Sequence, residues 1–181
     1  MLARRSFITG LLQLSSLSYF GLSACSIPRA RHPSDPPKPS AGDTARASSV
    51  AYDDQIGSAT VFMEAANQGE QGELCVAFVL VNRLKRGRYG TTLADVCLAP
   101  NQFSCWNTSE PTRRLLARAS EEDTALVRAQ EALAQARSGS VSDPTQGAVL
   151  YYADYMTRPP AWAARSKFTV KVGRHLFFTD G

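Results

Sequence analysis

The sequence predicts an α+β fold, with helices first and a small antiparallel sheet last. Two observations carry this reading. Up to about residue 139 the apolar residues follow helical spacing, and after Asp143-Pro144 they change to aromatic and β-branched runs.

The first helix is marked by Tyr52, Ile56, Ala59, Met63 and Ala66, spaced four, three, four and three residues apart and ending near Asn67. A second helix is expected from about Gln71 to Arg86. Its run from Leu74 to Leu84 leaves little polar face, so it should be the buried central helix. Gly87 and Gly90 end it, and a loop follows that carries Cys97, Pro100, Asn101, Gln102, Phe103, Ser104, Cys105 and Trp106. Ser120-Glu121-Glu122-Asp123 resembles a capping box for a peripheral helix running to Gly139, with Ala125, Leu126, Ala129, Ala132, Leu133 and Ala136 as a narrow apolar stripe. Strands are expected at 148–153, 167–172 and 175–178, the last two joined by a two-residue turn at Gly173-Arg174.

The charge is unevenly placed. The chain has 181 residues with 20 Lys+Arg against 16 Asp+Glu, and residues 1–50 hold six of the basic residues but only Asp35 and Asp43 of the acids. Residues 51–181 are left with 14 of each sign, without the basic footprint that binding a phosphate backbone requires. Nucleic acid is therefore not an expected partner.

The basic excess belongs to an address. Arg4-Arg5 precede an apolar stretch from Phe7 to Leu22 that is interrupted by Gln13, Ser15, Ser16 and Ser18. At 16 residues it is too short and too polar for a bilayer span of about 20 residues, and it has the layout of an export leader over residues 1–24. Leu22-Ser23-Ala24-Cys25 resembles a bacterial lipobox, which makes Cys25 the expected lipidation site and membrane anchor. Ser26 after that cysteine points to the periplasmic face of the outer membrane, and Arg4-Arg5-Ser6-Phe7-Ile8 is compatible with either twin-arginine or general export. Residues 25–50, with Pro28, Pro33, Pro36, Pro37 and Pro39, are expected to be a disordered tether ahead of a folded domain at 51–181.

Chemistry follows by elimination. His32 falls in the tether, leaving His175 as the imidazole of the domain, and neither HExxH nor CxxC is present, so no metal or other cofactor is expected. Cys97 and Cys105, eight apart in one loop of an exported protein, are expected to form a disulfide, with Cys75 a buried thiol. A Cys/His peptidase pairing His175 with one of these cysteines is the competing arithmetic. Beside a hairpin turn, His175 reads as a packed or hydrogen-bonding residue.

There is no GxSxG elbow and no phosphate-cradling glycine loop, so carboxylates remain. Glu64 flanks the apolar stripe in the last turn of the first helix, where partial burial and the negative end of the helix dipole disfavour its ionised form. A general acid needs such a setting. From position alone, a solvated surface role is the more ordinary one for it, since most glutamates lie at the surface. Glu70 and Glu73 open the second helix and read as ordinary dipole-complementing acids.

Glu64-Ala65, Gly72, and Val76 through Asn82-Arg83-Leu84 resemble the core motif of the SleB/CwlJ family of cell-wall hydrolases. Gln102-Phe103-Ser104, Asp143-Pro144-Thr145 with Gly147, Leu150-Tyr151-Tyr152, Trp162-Ala163 and Gly173-Arg174-His175 with Phe177 follow in the family's order. The resemblance implies a compact lysozyme-like or resuscitation-factor-like domain that acts on peptidoglycan, with its catalytic glutamate at Glu64.

Asn67-Gln68 and Gln71 stand where the family commonly has Gly-Glu and a further Glu, and Asn67 suits a left-handed helix cap. Hydrolytic glycosidases use a second carboxylate, for which Asp143 and Asp154 are the candidates. The loss of two acids favours one acid acting alone, as in a lytic transglycosylase, with muramidase-type hydrolysis and a non-catalytic peptidoglycan-binding lipoprotein as alternatives. Gln102 and Ser104 are expected to bind N-acetyl groups, Trp106, Tyr151 and Tyr152 to offer surfaces to sugar rings, and Asp154 to contact substrate. Of the two tyrosines, strand alternation predicts one structural and one functional.

Overall fold

A computed structural model describes residues 40–107 and 124–180. The leader, Cys25, residues 25–39 of the tether and the predicted cap Ser120–Asp123 lie outside the described residues. Helix α1 spans Ala41–Ala65, α2 Gly69–Arg86, α3 Leu93–Leu98 and α4 Thr124–Ser138. A short 3-10 turn, Ser104–Trp106, follows α3, and another, Ala161–Arg165, precedes β2. Strands β1 (Leu150–Ala153), β2 (Lys167–Val172) and β3 (His175–Thr179) form an antiparallel sheet in the order β1-β3-β2.

Helix α1 begins eleven residues before Tyr52, so residues 41–50 are helix and not part of a disordered tether. The reason is local: Ser40 and Asp43 form a reciprocal capping box, in which the Ser40 hydroxyl accepts from the Asp43 amide and Asp43 accepts from the Ser40 amide. Such a cap stabilises a helix end by about 1 kcal/mol. These early turns are exposed, as is Tyr52, and burial starts at Gly57. There α1 crosses α4 closely, for a Cβ on Gly57 would lie 2.8 Å from a Leu133 methyl.

Helix α2 is the buried centre, with Val76 through Val81 enclosed. Helix α4 rests on both α1 and α2 through Ala129, Ala132, Leu133 and Ala136. Helix α3 falls within the expected loop. A second capping box, Thr92 with Asp95, starts it, while Asp53 of α1 accepts from the Leu93 and Ala94 amides at 3.3 and 3.2 Å. At the α1–α2 junction the left-handed residue is Gly69, the first of α2, at φ 70°, and not Asn67.

The sheet sorts its side chains by face. Tyr151, Val170, Val172, His175 and Phe177 share the inner face, where Phe177 packs with Cys75 and Val79 of α2. Tyr152, Phe168 and Phe178 share the outer face with Trp162 laid across them.

Asp143 holds the loop before β1 together. Its Oδ1 accepts from the Thr145 amide and hydroxyl at 2.7 and 2.6 Å, and its Oδ2 from the Gly147 amide and the Asn82 side chain, each at 2.8 Å. Burial alone pushes this carboxyl up, but the hydrogen bonds from Thr145, Asn82 and Gly147 together bring it below its ordinary value. A lowered folded value contributes stability that is complete above the unfolded pKa of about 3.9 and is lost as pH falls through the folded one. Asp143→Asn is therefore expected to be less stable at pH 7 and to lose less on acidification. Urea midpoints measured from pH 7 downward should converge for the two proteins.

Candidate active site

Glu64 projects from the last turn of α1 into an open groove of about 670 Å³. One wall is Asn101, Gln102, Phe103 and Ser104 from the segment after α3, and the other is Tyr151, Tyr152, Tyr155, Met156, Pro160, Trp162 and His175 from the sheet and its connections. Asn67 and Gln68 close the end of α1, and Arg83 of α2 lies in the floor. Among the described lining residues, Glu64 is the only carboxylate. A larger depression of about 950 Å³ between α1 and α4 has Asp54 and Arg137 as its charged groups, and these are paired with each other.

The half-buried Glu64 is held by donors from two elements. The Tyr151 hydroxyl donates to Oε2 at 2.9 Å, and the Cys105 thiol hydrogen-bonds to the same carboxylate. Burial and the Glu64 charge both raise the Tyr151 phenol well above its ordinary value, so it stays protonated as a donor. His175 packs its ring 4.9 Å from that of Tyr151. It is 7% exposed, burial lowers its pKa, and its Nδ1 makes no hydrogen bond. It is a neutral packing group, as expected from its place beside the turn.

Arg83 is a groove residue to which the sequence alone assigned no role. It is 5% exposed, and burial lowers its pKa although Tyr151, Tyr89 and Glu64 act in the opposite sense. Its Nε donates to the Val149 carbonyl at 2.7 Å and its Nη1 to Gln102 Oε1 at 3.3 Å, while its guanidinium lies over the rings of Phe103 and Tyr89. Arg83 thus fixes Gln102 at the groove and brings a positive charge to the floor near Glu64. The available signal was a charged residue close behind the apolar run Val76–Val81, where burial demands partners.

Gln102 and Ser104 line the groove with Glu64, and so do both tyrosines. Strand alternation puts the two tyrosines on opposite faces of the sheet. Tyr151, on the inner face, reaches Glu64. Tyr152, on the outer face, stacks on Phe178 at 5.4 Å and meets Trp162 edge-on at 5.8 Å. Trp162, Tyr155 and Met156 add apolar surface to the groove that was not foreseen.

Trp106 is not among the groove's lining residues. Its indole N–H donates to the buried Thr60 hydroxyl at 2.9 Å, which ties the ring to the core. Asp154 is also absent from the lining, because it is engaged by Lys171 Nζ at 2.8 Å and Arg174 Nε at 3.2 Å. Hydrogen bonds from Lys171 and then Arg174 hold its carboxyl below the ordinary range. Asp143 is spent on its loop. Neither candidate second carboxylate reaches the groove.

Cys75 is the buried thiol expected of it, but the expected Cys97–Cys105 disulfide is not formed. Cys97 and Cys105 are free, buried thiols as well. Helix α3 and the following turn direct them to separate partners, Cys97 to the Thr60 hydroxyl and Cys105 to Glu64. Burial pushes Cys75 and Cys97 up to about 12 and raises Cys105 further, so none supplies the thiolate that a Cys/His peptidase requires. Among the described residues no three His, Cys, Asp or Glu side chains gather where they could hold a metal ion.

Residues 67–178 match the Cell Wall Hydrolase family, and the chain belongs to it as an enzyme that acts on peptidoglycan. The match begins three residues after Glu64. In three dimensions the chain is similar to the catalytic domain of the Bacillus cereus SleB protein, with a TM-score of 0.57 and 22% identity over 71% of this chain and 91% of that one. It is likewise similar to the catalytic domain of the germination-specific lytic transglycosylase SleB from Bacillus anthracis, with a TM-score of 0.55 and 23% identity over 70% and 93%. These likenesses establish a shared α+β fold. No curated protein matches the chain significantly.

Proposed function

We propose that the enzyme cleaves peptidoglycan glycan strands between N-acetylmuramic acid and N-acetylglucosamine as a lytic transglycosylase, with Glu64 as its single acid and base. The observation that carries this reading is the solitary carboxylate among the described groove residues. Hydrolysis by two carboxylates needs a partner within about 5 to 9.5 Å to act as nucleophile or to activate water. Both candidates for that partner are committed elsewhere. The fold shared with a protein described as a lytic transglycosylase supports the same reading.

In the proposed reaction, Glu64 gives its proton to the glycosidic oxygen as the C1–O bond breaks. The carboxylate formed then takes the proton of the muramoyl C6 hydroxyl while that oxygen closes on C1. The products are a 1,6-anhydro end and a free glycan terminus, and no water is consumed. Tyr151 and Cys105 orient the carboxylate through this exchange. Gln102 and Ser104 hold polar groups of the sugars, while Tyr152 and Trp162 present ring surface to them. The leader and Cys25 export the enzyme and anchor it to the envelope, with residues 25–39 as the tether.

Release of soluble muropeptides from purified sacculi by the full chain tests cleavage. Binding to sacculi without release would make it a non-catalytic binder. Tyr151→Phe removes one hydrogen bond to a charged group, worth about 1.5–3 kcal/mol, and keeps the ring. In this assay kcat is expected to fall by roughly tenfold to a hundredfold with KM nearly unchanged.

A further inference from the structure

The tip of the β2–β3 hairpin carries a basic rim that cleavage of the glycan does not use. Lys171 and Arg174 both contact Asp154, so that among the described residues two cations share one carboxylate. Their side chains are 51% and 62% exposed. The Arg174 guanidinium lies over the Tyr155 ring, 4.8 Å from its centre, and Tyr155 is 66% exposed at the mouth of the groove.

This rim is held in place through the backbone. The Arg174 amide donates to Gln68 Oε1 at 2.9 Å, which pins the hairpin tip to the turn between α1 and α2. Gly173 takes φ 56° there, and a Cβ on it would sit 2.7 Å from the same Gln68 oxygen. Asp154 engages Nε of Arg174, and the terminal nitrogens of the fork remain for a carboxylate, which guanidinium groups bind in bidentate fashion.

We infer that Lys171 and Arg174 form a subsite for the carboxylates of the stem peptide on the muramic acid lactyl group, so that the enzyme selects peptide-bearing strands over stripped glycan. The inference rests on the proposed cleavage of glycan strands. Arg174 stands beside Tyr155, which lines the groove, so the rim borders the place where a bound strand and the peptides on its muramic acid residues would lie. The rim supplies the opposite charge there, and Glu64 lies within the groove as its only carboxylate among the described lining residues.

The test compares two soluble substrates, uncross-linked glycan strands that carry stem peptides and the same strands stripped by an amidase. The full wild-type chain is expected to show a kcat/KM roughly tenfold higher on peptide-bearing strands, the scale of one charge-assisted hydrogen bond, with the difference shrinking at high salt. The double variant Lys171→Gln, Arg174→Gln should bring the ratio to about one by raising KM on peptide-bearing strands alone. Asp154→Asn, which removes the competing carboxylate, should raise the ratio. Equal wild-type rates on the two substrates, or equal losses on both in the double variant, would overturn the subsite and leave glycan cleavage standing. Failure of the wild type to cleave either substrate would overturn glycan cleavage and the subsite with it.

Discussion

Glu64→Gln is expected to abolish release of muropeptides from sacculi while leaving the fold in place. A positioned general acid contributes about 10²–10⁴ in rate, and here the same group serves twice, so the loss should reach the upper part of that range. The glutamine retains the size of the side chain and an oxygen that accepts the Tyr151 hydrogen bond, but its amide cannot supply the proton that the departing oxygen needs. Thermal unfolding should move by no more than about 2–4 °C, the equivalent of about 1 kcal/mol in a chain of this size. Sacculus binding should persist, because Gln102, Ser104, Tyr152 and Trp162 are untouched. An equal loss of binding and release would instead identify Glu64 as a binding residue.

The largest expected effect on stability lies away from the groove. Glu73 of α2 is fully buried, and Arg128 of α4 meets it with two hydrogen bonds of 3.1 Å. Arg128→Ala leaves a carboxylate in the interior without these bonds. Breaking a buried pair from one side costs about 3–5 kcal/mol. The urea midpoint of Arg128→Ala should therefore fall sharply at neutral pH. Replacing both partners with leucine should recover most of the loss, since an apolar pair of similar volume is often neutral or stabilising. If Arg128→Ala were as stable as the parent, the ion pair would not be what joins α2 to α4.

Glu73 also marks where sequence reading stops. Its place in the first turn of α2 suggests an exposed acid facing the helix dipole, a reading that suits Glu70, which is exposed. Burial of Glu73 depends on an arginine 55 residues away, and no local pattern announces it. Trp106 poses the same difficulty. A tryptophan in a polar loop resembles a sugar platform until the hydroxyl of Thr60, 46 residues distant, is found to hold its indole.

Local signals fared better. The dense run in α2 and the turn at Gly173-Arg174 follow from hydrophobic spacing and from a backbone position that favours glycine, whereas the bulge between Phe168 and Val170, which turns Phe168 to the opposite face from Val170, has no such signal. Helix α3 and the start of α1 escaped for one reason. Both are nucleated by capping boxes whose third helical residue is aspartate, at Asp95 and Asp43, and neither start carries an apolar stripe long enough to be read. Within the groove, Glu64, Gln102, Ser104 and the two tyrosines were legible through family motifs. Arg83 belonged to one of those motifs, but its role depends on Val149, Gln102, Phe103 and Tyr89 meeting it from other segments.

The central claim is that one carboxylate suffices, and the chemical form of the new glycan ends tests it most directly. Mass spectrometry of muropeptides released by the full chain from purified sacculi should find 1,6-anhydromuramoyl ends, one water lighter than reducing ends, at every cleavage and absent with Glu64→Gln. Reducing muramic acid ends, carrying ¹⁸O when the reaction is run in labelled water, would contradict the account and require a second group that activates water.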